Sequence, residues 1–367
     1  MNWRSRTIVS LFGPIVIWSS YYWCKQCRTS QKPWDQRLGL NSKNETPAAM
    51  QMAAQAGVLA SFGEASTRTL KSMCGLTLSE STVERVTEEA GDRVRALRAQ
   101  GTTQGPAQSW QWQRDAQGRT CAYVSLNHTG VPQQAAGGKR AEGKMIPVAM
   151  VYNPRSEHDD RRLPPRQVRY LSGFYELDDI GRQLRREAEA VGMMHADQQI
   201  AISDGGSGLE DVFAKFFPRA TCILDFYHAK EHLVELAQAL HPTDESARKS
   251  WTDHWCHRLK HEGGRPVLAA LEAMDLTEQN AAVCETHRKQ LTYFRNQAHR
   301  MDYPTYVANG WQIGSGPVES ACKTVIGNRL KGGGMRWSKA GSNAVAHLRA
   351  VYLSEPSCWH TLWATIS

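Results

Sequence analysis

Three acidic residues occupy positions where a carboxylate could bind a metal ion. Asp204 follows an apolar stretch and precedes two glycines, so we expect it at the carboxyl end of a strand, where open α/β sheets bind their ligands. Asp225 ends the next apolar stretch in the same way. Glu319 follows a glycine-rich turn and is predicted at the third position of a helix that begins at Pro317. Their oxygen atoms suit a divalent cation, although Asp204 could instead cap the helix that follows it.

The segment after Glu319 is basic. A helix N-terminus would stabilise the negative charge of Glu319 by about 0.3–1 kcal/mol, and this is the simplest explanation for an acidic residue at that position. However, every charged side chain between Glu319 and Glu355 is cationic, including Lys323, Arg329, Lys331, Arg336 and Lys339. The whole chain carries 44 Lys and Arg against 36 Asp and Glu, a net charge of +8. This pattern favours a metal ligand beside a track for DNA phosphates.

Histidines form a second group with possible metal chemistry. His228 and His232 are four residues apart on the helix predicted after Asp225, the spacing of zinc-binding histidines. The glutamate of the H-E-x-x-H motif is absent, which favours a structural or substrate-orienting role for His228. A zinc hydrolase would combine this pair with the cluster that follows it, which contains His254, Cys256, His257 and His261. No zinc spacing in this set is complete.

The chain has nine cysteines, an odd number spread over 367 residues, which favours reduced thiols in a cytoplasmic protein. Cys24 and Cys27 form one C-x-x-C pair after a predicted β-hairpin. The pair is either half of a zinc site or two buried thiols, because zinc requires four ligands.

The elements that must position these residues divide the chain into seven regions. They are a β-hairpin with the C-x-x-C pair (1–45), a helical region (46–100), a linker (101–117), the first part of an α/β core (118–228), an all-α insertion (229–305), the helix bearing Glu319 that completes the core (306–352) and a C-terminal tail (353–367). Within the core we expect three strands, a helix, a strand, a helix and a strand.

The helical region 46–100 resembles a helix-turn-helix in length and turn chemistry. A capping box at Ser81–Glu84 is predicted to open its last helix, which runs to about Leu97. An ordinary helical hairpin would have the same pattern, and the glutamates of this helix disfavour contact with phosphates.

The apolar stretch from Thr7 to Trp23 follows two arginines, as in a signal peptide. Gly13 and Pro14 interrupt it, and it is too short to span a bilayer comfortably. We therefore expect two short strands joined by a Gly-Pro turn and no association with a membrane.

Several motifs together resemble DDE insertion-sequence transposases, and within these the ISKra group, which shares features with Mutator-like elements. The motifs are Ile202–Gly206, Ile223–His228, Gly310–Lys323 and Arg329–Trp337, together with Tyr21–Cys27 and Leu78–Glu84 near the N-terminus. The resemblance extends over nearly the whole chain, and the segment around Glu319 is its most specific part.

This resemblance implies a ribonuclease-H-like core with a helical insertion before the glutamate. It implies two divalent metal ions, magnesium or manganese, held by two aspartates and a glutamate. Asp204 and Glu319 match the second and third of these ligands, and Asp225 and His228 match an auxiliary D-x-x-H motif. The implied partners are the DNA ends of a mobile element and target DNA, bound by a homo-oligomer associated with the nucleoid.

The first ligand position departs from the family. The matching segment reads Val124-Ser-Leu-Asn127-His128-Thr-Gly-Val131, with Asn127 where the first aspartate belongs. An amide oxygen can coordinate a metal but contributes no negative charge between two ions. The sequence therefore predicts either a catalytically impaired transposase or an inactive relative that binds the same DNA ends.

Overall fold

The structure is a computed structural model that describes residues 2–40, 44–135, 137, 139–155 and 167–364. The end of the predicted C-terminal tail (353–367) lies outside this range.

An antiparallel hairpin begins the chain. Strand β1 (Asn2–Ser10) pairs with β2 (Gly13–Trp23), and the short strand β3 (Ser30–Gln31) pairs with the end of β2. The hairpin was expected, but its turn differs from the predicted Gly-Pro turn. Leu11 and Phe12 form it, and the backbone N–H of Phe12 donates to the hydroxyl of Ser10 at 3.1 Å. Helix α1 (Pro33–Arg37) follows.

Three helical elements come next. They are α2 (Pro47–Leu59), α3 (Phe62–Glu64), which continues as a wider helical segment to Met73, and α4 (Glu80–Ala99). The predicted cap of α4 is wrong by two residues, because the side chain of Ser79, not Ser81, accepts from the backbone N–H of Thr82 at 3.2 Å. This places α4 further toward the N-terminus than the sequence indicated.

The central sheet is mixed. Its strands are β4 (Gln113–Arg114), β5 (Thr120–Gln134), β6 (Arg140–Asn153), β7 (Gln167–Ser172), β8 (Gln198–Ser203) and β9 (Ala220–Leu224). Their order is β7-β6-β5-β8-β9, and β4 adds to β5. The β5-β6 and β6-β7 pairs are antiparallel, whereas β5-β8 and β8-β9 are parallel. The predicted α/β architecture is thus confirmed at the level of a mixed sheet with helices.

Both faces of the sheet are covered. Along β5, Ala122, Val124 and Leu126 face the core formed with helices α5 (Leu177–Ala190) and α6 (Leu209–Phe216). Cys121 and Tyr123 alternate with them and face the larger core on the other side. This is why the central strands have continuous apolar sequences. The predicted linker 101–117 is packed in place, since Gln104 and Trp110 are buried.

The remaining chain is helical. It contains α7 (Phe226–Leu240), α8 (Glu245–Glu262), α9 (Gly264–Glu272), α10 (Ala281–Gln297), α11 (Tyr303–Ala308), α12 (Gly316–Ala321), α13 (Asn328–Leu330), α14 (Lys339–Tyr352) and α15 (Trp359–Ala364). The prediction that residues 229–300 form helices is confirmed. In the described part of the chain, no helix is both long and apolar enough to cross a bilayer.

Helix α4 packs on α14, and it does so closely. A Cβ added to Gly91 would overlap the backbone carbonyl of Ala344, so only glycine permits this approach. The apolar side chains of α2 and α4 belong to the same core as those of α14 and one face of the sheet. The helical region 46–100 is therefore continuous with the α/β core in its packing.

Candidate functional site

Three neighbouring parallel strands bring the predicted site residues into line. In the parallel register, Ser125 of β5 is paired with Ile202 of β8, and Ser203 is paired with Leu224 of β9. Continuing these registers past the strand ends places Asn127 beside Asp204 and Asp204 beside Asp225. Because the strands are parallel, Asp204 and Asp225 lie together at the carboxyl ends of β8 and β9, where the sequence predicted a site, and Asn127 lies beside them within β5, which continues to Gln134.

Asp204 is half-buried in the turn that follows β8. Its Oδ1 accepts a hydrogen bond of 2.9 Å from the backbone N–H of Gly206. The two glycines after it leave space for the site, since a Cβ on Gly205 would lie 2.9 Å from the ring of Tyr293 and one on Gly206 would lie 2.8 Å from Asp204 Oδ1. Oδ1 of Asp204 thus binds a backbone N–H of its own loop, and Oδ2 takes no part in this hydrogen bond.

Asp225 is completely buried at the N-terminus of α7, where Oδ1 accepts from the backbone N–H of Tyr227 at 3.0 Å. Its Oδ2 lies 2.7 Å from the hydroxyl of Ser315, and the same hydroxyl lies 2.7 Å from Oε1 of Glu319. Ser315 is itself buried, whereas Glu319 is exposed. One hydroxyl therefore joins the carboxylate that ends β9 to the carboxylate of α12.

This junction has a chemical consequence. A serine hydroxyl has one proton, so it can donate to only one of the two carboxylates at a time. The other carboxylate then faces a lone pair, an unfavourable contact unless a proton or a cation compensates it.

The predicted helix position of Glu319 is off by one: it is the fourth residue of α12, one turn after Ser315.

Asn127 lies half-buried in β5, opposite Val148. Its side-chain oxygen accepts a hydrogen bond of 2.6 Å from the backbone N–H of His128. Burial lowers the pKa of the His128 imidazole, and the negative charge of Asp204 opposes that shift. Asp204 therefore acts electrostatically on the strand segment that bears Asn127.

The pKa of the Cys322 thiol is affected by the charges around the site. Burial raises the pKa of its thiol to about 12; the positive charge of Lys331 opposes the increase, and the negative charges of Glu319 and Asp204 contribute to it. The Nζ of Lys331 lies 2.6 Å from the hydroxyl of Thr129, two residues after Asn127. One cation and two of the predicted acidic ligands thus act on a single buried thiol.

Tyr293 comes from α10 and was not predicted as a site residue. Its ring lies next to Gly205, and burial raises the pKa of its hydroxyl, with Asp204 and Asp225 adding to the increase. That hydroxyl is buried and, among the residues the structure describes, has no hydrogen-bond partner. No local sequence pattern could have found it, whereas Ser315 could have been found by its spacing of four from Glu319 on the predicted helix.

The histidines are distributed differently from a zinc site. His228 is half-buried, with Nδ1 3.6 Å from Oε2 of Glu231. The Nδ1 of His232 lies 2.6 Å from Oε1 of Gln290, and its ring stacks on Tyr293 at 3.5 Å. His232 is thus held in the packing of α7 against α10, while His254, His257 and His261 are exposed on α8 and Cys256 is half-buried.

The predicted phosphate contacts separate into two kinds. Lys323, Lys331, Arg336 and Lys339 are exposed. Arg329 departs from the prediction because its side chain is buried, with the guanidinium 4.7 Å from the ring centre of Phe62 and 4.9 Å from that of Trp337. Its Nε donates to the carbonyl of Gly57 at 2.8 Å, and burial lowers its pKa to about 10. Arg329 connects elements of the core and is not available to a phosphate here.

Cys24 and Cys27 are both exposed, so the expectation of buried thiols is wrong. The pair occupies the turn between β2 and β3, where the backbone N–H of Cys27 donates to Sγ of Cys24 at 3.5 Å. Hydrogen bonds from the side chains of Thr29 and Cys24 lower the pKa of the Cys27 thiol to about 7.

The donor set at the strand ends consists of carboxylate and amide oxygens, which fit magnesium or manganese better than zinc. Their side chains do not converge in the way of a formed metal centre. Over the described ranges, no three His, Cys, Asp or Glu side chains are grouped so that they could hold an ion. Asp204 instead accepts from a backbone N–H of its own turn, and Asn127 accepts from the backbone N–H of the next residue in β5.

Comparison with known proteins assigns the chain to a family. The model of an uncharacterised protein family, UPF0236, matches residues 1–363, and the chain belongs to that family. No curated protein matches the sequence.

Proposed function

We propose that this protein is a DNA transposase of the DDE type, with a ribonuclease-H-like core that cuts and joins DNA by phosphoryl transfer. The single observation that carries the proposal is the line of Asn127, Asp204 and Asp225 across three neighbouring parallel strands, with Glu319 joined to Asp225 through Ser315. The resemblance of these same residues to the transposase motifs agrees with that placement.

The sheet supports the proposed core. In chain order, the first three long strands of the sheet are antiparallel neighbours, and the next two are added in parallel on the other side of the first. One helix lies between β7 and β8, another between β8 and β9, and the following helices separate β9 from Glu319. A ribonuclease-H-like core with a helical insertion before the glutamate has this arrangement.

The side chains of Asp204 and Glu319 would hold the metal ions, with Asn127 as a weaker oxygen ligand and Asp225 in support. When bound, magnesium or manganese would neutralise charge on the attacking and leaving oxygens of the phosphodiester. Ser315 orients Glu319 toward Asp225, and Lys331 supplies a positive charge beside β5 for the phosphate. The residues thus contribute mainly position and charge.

DNA binding in this proposal rests on the exposed basic side chains after Glu319. Lys323 and Lys331 lie within one segment of chain that leaves the acidic site, and Arg336 and Lys339 continue it toward α14. A phosphate backbone following this surface would reach Glu319. Element ends and target DNA are the proposed partners, bound by an oligomer of the protein.

A second candidate is an inactive relative that binds the same DNA ends without cutting them. The observation that favours it is the amide of Asn127, which adds no charge and whose oxygen is engaged by the N–H of His128. Replacing a carboxylate between two dications by an amide weakens binding of the second ion.

A cleavage assay tests the function. DNA carrying the sequences that flank the gene is incubated with the purified protein in magnesium or manganese, and nicked and joined products are measured. We expect little cleavage by the natural chain and clear metal-dependent cleavage by Asn127→Asp. Adding Glu319→Gln to Asn127→Asp should abolish cleavage while DNA binding remains.

The outcomes separate the candidates. Cleavage by Asn127→Asp supports the transposase, whereas specific binding of the flanking DNA without cleavage by either protein supports the inactive relative. If neither protein binds the flanking DNA better than random DNA, both candidates are wrong.

A further inference from the structure

Tyr227 is an exposed aromatic residue at the start of α7, two residues after Asp225. It is 61% exposed to solvent. Among the residues that the structure describes from position 44 onward, every other Phe, Tyr and Trp is buried or half-buried. A large exposed aromatic ring in this part of the chain therefore coincides with the place where the acidic residues gather, and none of the roles assigned above uses it.

The neighbours of Tyr227 place its ring next to the acidic site. Its backbone N–H donates to Oδ1 of Asp225 at 3.0 Å. A Cβ added to Gly314 would lie 2.9 Å from the Tyr227 ring and 3.6 Å from Oδ1 of Asp225. The ring and the buried carboxylate therefore meet at the backbone of Gly314. The next residue along the chain is Ser315, whose hydroxyl contacts Glu319.

The ring is also supported from the interior of the protein. Phe226 contacts it edge to face, with the two ring centres 5.8 Å apart, and Phe226 in turn packs edge to face on the buried Tyr303 at 5.2 Å. The backbone N–H of Phe226 donates to the carbonyl of Ile313 at 2.8 Å. A ring held in this way loses little conformational freedom when a ligand covers it, which favours binding.

The surroundings of the ring favour a nucleic acid base as its ligand. Exposed cations, Lys323 and Lys331, follow Glu319 in the chain and suit a phosphate backbone. A strand with one phosphate at the acidic site would bring the adjacent base to Tyr227. Aromatic side chains bind bases by stacking, because every base has a π-face. In a duplex the neighbouring base pairs cover these faces, so only a base outside the stack can use the ring.

We propose that Tyr227 is a stacking platform for an unpaired base next to the phosphate at the acidic site. The preferred substrate is then DNA in which a single-stranded nucleotide adjoins the duplex at that point. This inference rests on the proposed function, because it requires a DNA strand beside Asp225 and Glu319. It adds a structural requirement on the DNA that the line of acidic residues does not impose.

The test measures DNA binding by the full-length protein in calcium, which binds the oxygen ligands that magnesium also uses. One fluorescent probe is a blunt duplex, and the other is the same duplex with a short 3′ tail of unpaired thymines. Fluorescence anisotropy gives both affinities. We expect the tailed probe to bind about tenfold more tightly, within the range that one stacked base contributes.

Tyr227→Ala should lose this preference and keep its affinity for the blunt duplex, whereas Tyr227→Phe, which retains the ring, should keep both. Tyr22→Ala is the matched control, because Tyr22 is also an exposed tyrosine but lies on β2 in the N-terminal sheet. A second readout is direct. When a thymine of the tail is replaced by 5-iodouracil, irradiation should cross-link the tail to Tyr227, as identified by mass spectrometry.

The outcomes distinguish this inference from the proposed function. Circular dichroism verifies that every variant is folded. Equal binding of the two probes by the natural chain, or a preference for the tailed probe that persists in Tyr227→Ala, overturns the stacking role and leaves DNA binding intact. A ring that serves a protein partner instead would give this result. If neither probe is bound, DNA binding and the stacking role are both overturned.

Discussion

Arg329 and Arg336 are seven residues apart in one basic segment, yet they have opposite environments. Arg329 is buried between Phe62 and Trp337, whereas Arg336 is exposed. Arg329→Ala would leave a cavity and an unpaired carbonyl at Gly57. We expect it to lower the free energy of unfolding by about 2–5 kcal/mol, as for other large buried side chains.

Arg336→Ala is the matched control for this prediction. It should change stability by no more than about 0.5 kcal/mol, because its side chain is exposed. Urea denaturation followed by circular dichroism measures both variants. Equal losses of stability would show that the burial of Arg329 has been misassigned.

Ser315 is the second residue whose role depends on its neighbours. Its hydroxyl contacts Asp225 and Glu319, so Ser315→Ala releases Glu319 from the buried carboxylate. In the Asn127→Asp protein we expect DNA cleavage to fall about 10–100-fold, the usual effect of losing a partner of a metal ligand. DNA affinity should not change, since the hydroxyl is buried.

Ser320→Ala is a suitable control because this hydroxyl is exposed on the same helix, one residue after Glu319. Cleavage rates and DNA affinities of both variants are compared in one background. A reduction that is equal for Ser315→Ala and Ser320→Ala would mean that the bridge to Asp225 does not orient Glu319.

At the scale of elements, the basic segment after α12 is expected to determine the salt dependence of DNA binding. Each exposed cation that contacts a phosphate contributes about one to the slope of log affinity against log salt. Lys331→Gln and Arg336→Gln should each lower the slope by about one. Lys249→Gln on α8, also exposed, should leave it unchanged. Unchanged slopes in the first two variants would exclude this segment as the phosphate track.

The contact between α4 and α14 predicts a pH dependence of stability. Arg98 Nη1 lies 3.0 Å from Nδ1 of His347, so the buried imidazole accepts this bond in its neutral form. Burial, with the charge of Arg98, lowers the pKa of His347 well below its usual value. As pH falls below about 6.5, the unfolded chain binds a proton that the folded chain does not, so stability decreases by up to about 1.4 kcal/mol per pH unit.

Chemical denaturation between pH 7 and pH 5 measures this effect. In His347→Gln the free energy of unfolding should fall less steeply with decreasing pH, by the slope that one proton contributes, because the titrating group has been removed. His360→Gln, which alters an exposed histidine on α15, should not flatten it. If the natural chain and His347→Gln lose stability in parallel, His347 is not buried in its neutral form.

The sequence predicted those elements whose signal is local. The central strands were found because burial on both faces gives them continuous apolar runs, and Asp204 and Asp225 were placed correctly at their ends. Tyr293 was missed because its significance arises only when α10 packs near the turn after β8, whereas the spacing of Ser315 from Glu319 was a local signal that was overlooked. Arg329 was misassigned because two of its partners, Phe62 and the carbonyl of Gly57, come from a distant part of the chain.

At the scale of the whole molecule, the helical region 46–100 and the α/β core share one hydrophobic interior. Two buried arginines of the C-terminal part bind carbonyls of α2: Arg329 contacts Gly57, and Arg349 contacts Val58. Gly91 of α4 packs against the backbone of Ala344. The buried face of this helical region is completed by α14.

We therefore expect an isolated fragment of residues 46–100 not to fold cooperatively. Without α14, the buried apolar face of α4 is exposed, and the carbonyls of Gly57 and Val58 lose their arginine donors. Circular dichroism should show weak helicity and no sigmoidal thermal transition. In the full chain, Gly91→Ala should lower the free energy of unfolding by about 1–3 kcal/mol through overpacking, whereas Gly333→Ala, with open space around it, should not. A fragment that melts cooperatively, together with a stable Gly91→Ala protein, would mean that α4 and α14 belong to separate folding units.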